Sequence, residues 1–229
     1  MNKKIFIVVG IVLVVGLLIA CMFIPEKEKK MIDEKLGINY SVNGNEASLK
    51  YDTENPVVAM YIQNYGSVVM ELYPDVAPNT VNNFISLIKN GFYDNNSFHR
   101  LVPGFVLQGG DPTGTGSGGP GYNIKGEFTE NGFENNLSHE KWVISMARSQ
   151  DMDSAGSQFF ICIDDATALD GKYASFGKVI DGFDTIEAIV QNEVVADSNS
   201  GKLQTNLLLR KAVIDLKGKE YPEVEKVSE

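Results

Sequence analysis

The sequence predicts a mainly β domain, a closed antiparallel barrel carrying two helices. Three observations predict it. Short strand-like runs recur along the body, each broken by Gly, Asn, Asp or Pro. Only two segments show helical periodicity. The body spans about 160 residues without internal repeats, an ordinary size for one domain.

The chain of 229 residues also leaves room for appendages. Residues 1–24 are the first. Lys3 and Lys4 precede an unbroken apolar run over residues 5–24, the pattern of a signal peptide or signal anchor. The run is about as long as a bilayer-spanning helix requires, and it has no polar face that a buried core helix would share with solvent. Within it, Leu18-Ile19-Ala20-Cys21 resembles the lipobox of bacterial lipoproteins. That resemblance implies lipidation of Cys21 at the start of the mature chain. Met22-Phe23-Ile24 continues the apolar run, so a single transmembrane helix is the alternative. Either reading places the remainder outside the cytoplasm at the cell membrane, because the two lysines hold the N-terminus inside. Residues 25–56 read as a solvated tether with a short strand near 38–42.

The domain occupies residues 57–216. Residues 57–62 and 67–73 read as two strands around a Gln63-Asn64-Tyr65-Gly66 turn. Pro78-Asn79-Thr80 opens a helix with Val81, Phe84, Ile85, Leu87 and Ile88 on one face and a local polar cap, and Asn90-Gly91 closes it. Strands follow at 104–108, 142–147, 158–163 and 175–179, a second helix at 183–190, and a last strand at 207–216. Residues 217–229 are charged and read as a disordered tail.

Composition excludes several function classes. Twenty basic residues stand against 30 acidic ones, a net charge of -10 with no basic stripe, so no nucleic acid partner is expected. Two distant cysteines and two histidines supply no metal cluster, and no cofactor is expected. In residues 109–121, GGDPTGTGSGGPG, Gly114, Gly116 and Gly119 satisfy the dinucleotide spacing. Pro120-Gly121-Tyr122 opens no helix behind them, so the segment reads as a surface loop.

Three further segments carry a resemblance. They are Phe98-His99-Arg100-Leu101-Val102-Pro103-Gly104-Phe105-Val106-Leu107-Gln108-Gly109-Gly110-Asp111; Ser145-Met146-Ala147-Arg148 followed by Gly156-Ser157-Gln158-Phe159-Phe160-Ile161; and Leu169-Asp170-Gly171-Lys172-Tyr173 with Phe176-Gly177-Lys178-Val179. In order and spacing they resemble the cyclophilin family of peptidyl-prolyl cis-trans isomerases. The resemblance implies an eight-stranded barrel capped by two helices. It implies a monomer that assists folding by acting on proline-containing peptides and on unfolded or newly exported proteins.

Carried over by residue, it makes Arg100 the catalytic residue and Phe105, Phe160 and Leu169 the seat of the proline ring. Val106 stands where methionine is usual. Gln108 and Gln158 would hold the substrate backbone. Gly116, Ala147, Arg148 and Ser149 would line the groove beside the seat, and Tyr173 replaces a common histidine. Arg148 stands in place of a frequent asparagine. Ala168 stands where members that bind cyclosporin tightly have tryptophan.

These residue types suit the chemistry. Rotating an X–Pro bond faces a barrier of roughly 18–20 kcal/mol from amide resonance, and no bond is made or broken. A permanently charged donor near the prolyl nitrogen favours the twisted amide, and arginine does not deprotonate. His99 and His139 are expected to be structural, His99 bonded to backbone, with Cys162 a buried thiol and Trp142 a core residue outside the pocket. Two other classes fit less well. A peptide-binding scaffold without turnover would have no use for Arg100 with Gln108 and Phe160, and a solute-binding lipoprotein would be longer and two-lobed.

Overall fold

The computed structural model describes residues 44–227 throughout, together with Lys27, Lys30, Glu34 and Asn39–Tyr40. The apolar run, Cys21 and the rest of 25–43 lie outside the described residues. Eleven strands are described: β1 Asn39–Tyr40, β2 Ala47–Ser48, β3 Val57–Ile62, β4 Gly66–Leu72, β5 Asn96–Val102, β6 Val106–Gly109, β7 Val143–Met146, β8 Phe159–Cys162, β9 Ser175–Asp181, β10 Val195–Asp197 and β11 Lys202–Asp215. The helices are α1, Pro78–Lys89, and α2, Phe183–Asn192.

Eight strands form a ring in the order β11-β3-β4-β9-β7-β8-β6-β5. The 14-residue β11 closes it. Its second half pairs with β3 from Leu209↔Ile62 to Asp215↔Val57, and its first half pairs with β5 at Leu207↔Phe98 and Lys202↔Arg100. Every pairing in the ring is antiparallel. Closure leaves the ring without a free edge. β10 adds to the early part of β11, and β1 and β2 pair separately.

Strand alternation sorts the side chains. Leu107, Ile144, Met146, Phe159 and Ile161 turn into the barrel and join the main core, while Val106, Phe160 and Cys162 belong to a separate outer cluster. Inside, Phe84 of α1 meets Phe159 edge-on at 5.2 Å and Phe176 at 5.0 Å. Each such ring buries a large apolar area, and the edge-to-face contacts add to it.

Helix α1 differs from expectation at its cap. Ala77 makes no side-chain cap bond. Glu127, distant in sequence, accepts Asn79 N–H at 3.0 Å and Thr80 N–H at 2.7 Å, satisfying two of the helix's free donors with a favourable negative charge.

Residues 44–56 and 217–227 are more ordered than their composition implies. In the segment read as tether, Leu49 is buried in a cluster with Val57, Ala59, Val69 and Val213. Asp215 accepts Leu49 N–H at 2.8 Å, and Lys217 Nζ donates to Tyr51 O at 2.8 Å. In the segment read as disordered tail, Tyr221 and Val224 pack against the main core. Val227 N–H donates to Asn123 O at 2.9 Å.

Candidate active site

Cross-strand register builds the site on the outer wall of the barrel. Arg100 on β5 lies opposite Gln108 on β6, Gln108 opposite Phe160 on β8, and Phe160 opposite Ser145 on β7. Directly opposed residues share a face, so a ladder of four side chains runs across four strands.

Arg100 is fixed at two points. Its Nε donates to Ser200 O at 2.7 Å and its Nη1 donates to Gln108 Oε1 at 3.1 Å. Gln108 Nε2 donates in turn to Gln158 Oε1 at 3.0 Å, and Gln158 Nε2 donates to Gly118 O at 2.9 Å and Gly116 O at 3.1 Å. Every polar group in this row is oriented by its neighbour. Burial lowers the Arg100 pKa, with Tyr173 opposing, and the guanidinium stays a cation.

An apolar patch lies next to this row. Val106, Phe160, Cys162 and Ala166 are buried in it, with Phe105, Ala147, Leu169 and Tyr173 packed around them and partly exposed. Phe160 meets Tyr173 edge-on at 5.8 Å. Beneath, its ring stacks on His139 at 6.1 Å and 21°. His139 is held from both sides, Nδ1 on Asp170 at 2.8 Å and Nε2 on Ser145 Oγ at 2.9 Å. Burial lowers the His139 pKa although Asp170 opposes it, so the imidazole is neutral and serves as a rigid floor. Burial, with Asp170 and Asp165 adding, pushes the Cys162 thiol up to about 12, which leaves it inert.

On the other side of the polar row a cleft of about 1020 Å³ opens, lined by Gln108, Ala147, Arg148, Ser149, Gln158 and the Gly116–Tyr122 loop among others. Asp111 organises that loop. Its carboxylate accepts N–H groups of Thr113 at 2.7 Å, Thr115 at 3.0 Å and Gly116 at 2.6 Å. Burial alone would raise this carboxyl, but hydrogen bonds from the Thr113, Gly118 and Gly116 N–H groups and the Thr113 hydroxyl outweigh it and hold it well below the usual range. A Cβ on Gly118 would lie 2.0 Å from Asp111 Oδ1, so the loop needs glycine there.

The twelve expected site residues therefore fall into three adjoining groups. Phe105, Val106, Phe160, Leu169 and Tyr173 form the apolar patch; Arg100, Gln108 and Gln158 form the polar row; Gly116, Ala147, Arg148 and Ser149 line the cleft. Arg148 is itself occupied, donating to Lys172 O at 3.0 Å and lying over the Tyr173 ring at 4.7 Å. His99 corrects the expectation of a backbone bond. It is buried, and neither ring nitrogen has a hydrogen-bond partner. The sequence reading did not identify Ser200 as the anchor of Arg100 or the Asp170–His139–Ser145 chain under Phe160. The run His139-Glu140-Lys141-Trp142 gives no local signal for a partner 31 residues away. Among the described residues no group of three or more His, Cys, Asp or Glu could hold a metal ion.

Comparison with known proteins agrees with this architecture. The family model described as cyclophilin type peptidyl-prolyl cis-trans isomerase/CLD matches residues 57–213. A peptidyl-prolyl cis-trans isomerase of Helicobacter pylori is 42% identical over 134 residues, covering 58% of this chain and 79% of the relative. Peptidyl-prolyl cis-trans isomerase B of Bacillus subtilis is 44% identical over 136 residues, covering 59% and 92%. A crystal structure of a Cryptosporidium parvum cyclophilin type isomerase, obtained in the presence of the dipeptide Ala-Pro, superposes with a TM-score of 0.61 at 35% identity, covering 69% of this chain and 98% of that one. With its closed eight-stranded barrel and two helices, the chain belongs to the cyclophilin-type peptidyl-prolyl cis-trans isomerase family.

Proposed function

We propose that this isomerase works outside the cytoplasm, tethered to the membrane by a lipid on Cys21, and speeds X–Pro rotation in newly exported proteins. The observation that supports the catalytic part is the doubly anchored Arg100 between the apolar patch and the cleft. The proline ring seats on Phe105, Phe160 and Leu169. Arg100, whose Nη2 makes neither of these two bonds, donates toward the prolyl nitrogen as the amide twists. Gln108 and Gln158 hold the backbone on one side of the bond, so the other side turns. Arg148 and Ser149 line the run of the peptide beyond. One charge-assisted hydrogen bond contributes roughly 1.5–3 kcal/mol, or about 10–150-fold in rate. The rest of the acceleration comes from binding the twisted amide better than either planar form.

The leader carries the remainder of the reading. Lipidation at Cys21 follows from the small residue before it and the leucine three before it. In this reading the protein acts as a monomer. Cys21→Ala separates lipid from transmembrane attachment. With lipidation, the variant loses the acyl label and accumulates as an unprocessed, heavier precursor. An unchanged mass in both proteins, still including Met1–Ala20, would contradict the lipid.

A further inference from the structure

The C-terminal segment lies beyond the residues matched by the family model, which ends at 213. It is nevertheless built into the site. Asn79 clamps Glu225 twice, Nδ2 donating to Glu225 O at 2.9 Å and Oδ1 accepting Glu225 N–H at 2.8 Å. Val227 N–H donates to Asn123 O. Tyr221 and Val224 anchor the approach in the core. These contacts bring Lys226 and Val227 to the rim of the large cleft, where both line it together with Gln108 and Gln158.

Lys226 is held there by a specific platform. Its Nζ lies 4.1 Å over the ring of Tyr122, and Tyr122 is fixed by its hydroxyl, which donates to Asn83 Oδ1 at 2.8 Å. Such a contact leaves ammonium donors free for a further acceptor. Arg148 is the other cation of the cleft, and no carboxylate side chain lines it among the described residues. Two cationic side chains thus line this recess on a chain of net charge -10. It adjoins the polar row through Gln108, which bonds Arg100 directly.

We propose that residues 221–227 form a working wall of the substrate groove, and that Lys226 selects substrates with an acidic side chain within about three residues of the proline. At about 3.3–3.6 Å of extended chain per residue, that is the stretch of peptide a neighbouring recess can reach. The inference rests on the isomerase reading of the Arg100 site.

The test uses the full chain in detergent and peptides in which one residue, at each of three positions on either side of the proline, is Glu, Ala or Lys. At one of these positions the wild-type protein is expected to turn over the Glu peptide about two- to fivefold faster, in kcat/KM, than the Lys peptide, the range an exposed ion pair supports. The preference should shrink in high salt, because the pair is exposed. Lys226→Glu should reduce the Glu-to-Lys ratio at least twofold, and Lys226→Arg should retain it. Equal ratios in wild type and Lys226→Glu, with all peptides turned over, would overturn the role of Lys226 and leave the isomerase reading standing. Failure to turn over any of the peptides would instead overturn the isomerase reading and this inference with it.

Discussion

The Nε of Arg100 donates to the carbonyl oxygen of Ser200, 2.7 Å away and 100 residues later in the chain. Ser200 lies in the turn between β10 and β11, and the same turn is tied to β5 by Leu101 N–H donating to Gly201 O at 2.8 Å. The guanidinium that faces the apolar patch is therefore aimed by a turn that itself lines neither the patch nor the cleft.

That relationship predicts an effect at a distance. Gly201 has φ of +74°, and a Cβ there would lie 2.9 Å from Leu101 O and 2.6 Å from a Val102 methyl. Gly201→Val must push the turn off β5 and take Ser200 with it. Turnover should fall about tenfold, within the 10²-fold that a one-ångström misplacement costs. The loss should appear in kcat more than in KM, because the arginine acts on the twisted amide. Steady-state kinetics checks this; a change in KM alone would contradict it.

Phe160 carries the seat. Phe160→Ala removes a ring packed between His139 and Tyr173. It should raise KM for Ala-Pro peptides. It should also lower stability by about 3–5 kcal/mol, the usual cost of Phe→Ala at a buried site. Denaturant unfolding and peptide titration measure the two effects separately.

Ala168 predicts weak cyclosporin inhibition. It is exposed on the turn that carries Leu169 and offers neither the indole surface nor its N–H. Nanomolar affinity requires about -12 kcal/mol, which this rim does not supply. Ala168→Trp should tighten inhibition at least tenfold, as read from dose–response curves of isomerase activity.

The buried histidines set an acid limit on stability. Burial lowers the pKa of both His99 and His139, so the folded protein keeps them neutral where the unfolded chain begins to protonate near pH 6.5. Their contribution is whole above that pH and is lost as pH falls through the lowered folded values. Each contributes a slope of at most about 1.4 kcal/mol per pH unit. The melting temperature should therefore decline between pH 7 and pH 5. His99→Gln should flatten that decline, since no hydrogen bond to the His99 ring opposes its burial and only the charge of Asp111 does. An identical decline in the variant would contradict the assignment.

Much of the site was legible because its residues fall in a few compact stretches of sequence. Arg100 and Gln108 are eight residues apart on adjacent strands, and alternation alone puts Val106, Gln108, Phe160 and Cys162 on one face. β5 was harder to see, since Asn95-Asn96-Ser97 is polar and reads as loop. Long-range partners left no local mark. Glu127 caps α1 and Ser200 anchors Arg100 only after folding. The ends were misread for a related reason. A charged composition describes most of residues 217–229 correctly, but two apolar residues there, Tyr221 and Val224, suffice to dock the segment on a preformed core. Leu49 does the same for the N-terminal extension. A fragment begun at Val57 would therefore expose the Val57–Val213 cluster that Leu49 covers.

The central claim is that Arg100 acts on the rotating amide and not on the fold. Arg100 is only partly buried and belongs to none of the three apolar clusters. The direct measurement is kcat/KM of Arg100→Ala on a short Ala-Pro peptide, alongside its melting temperature. The account predicts a loss of at least tenfold, and up to about 150-fold from the hydrogen bond alone, with a melting temperature within a few degrees of wild type. Near-wild-type turnover in a folded Arg100→Ala protein would contradict it.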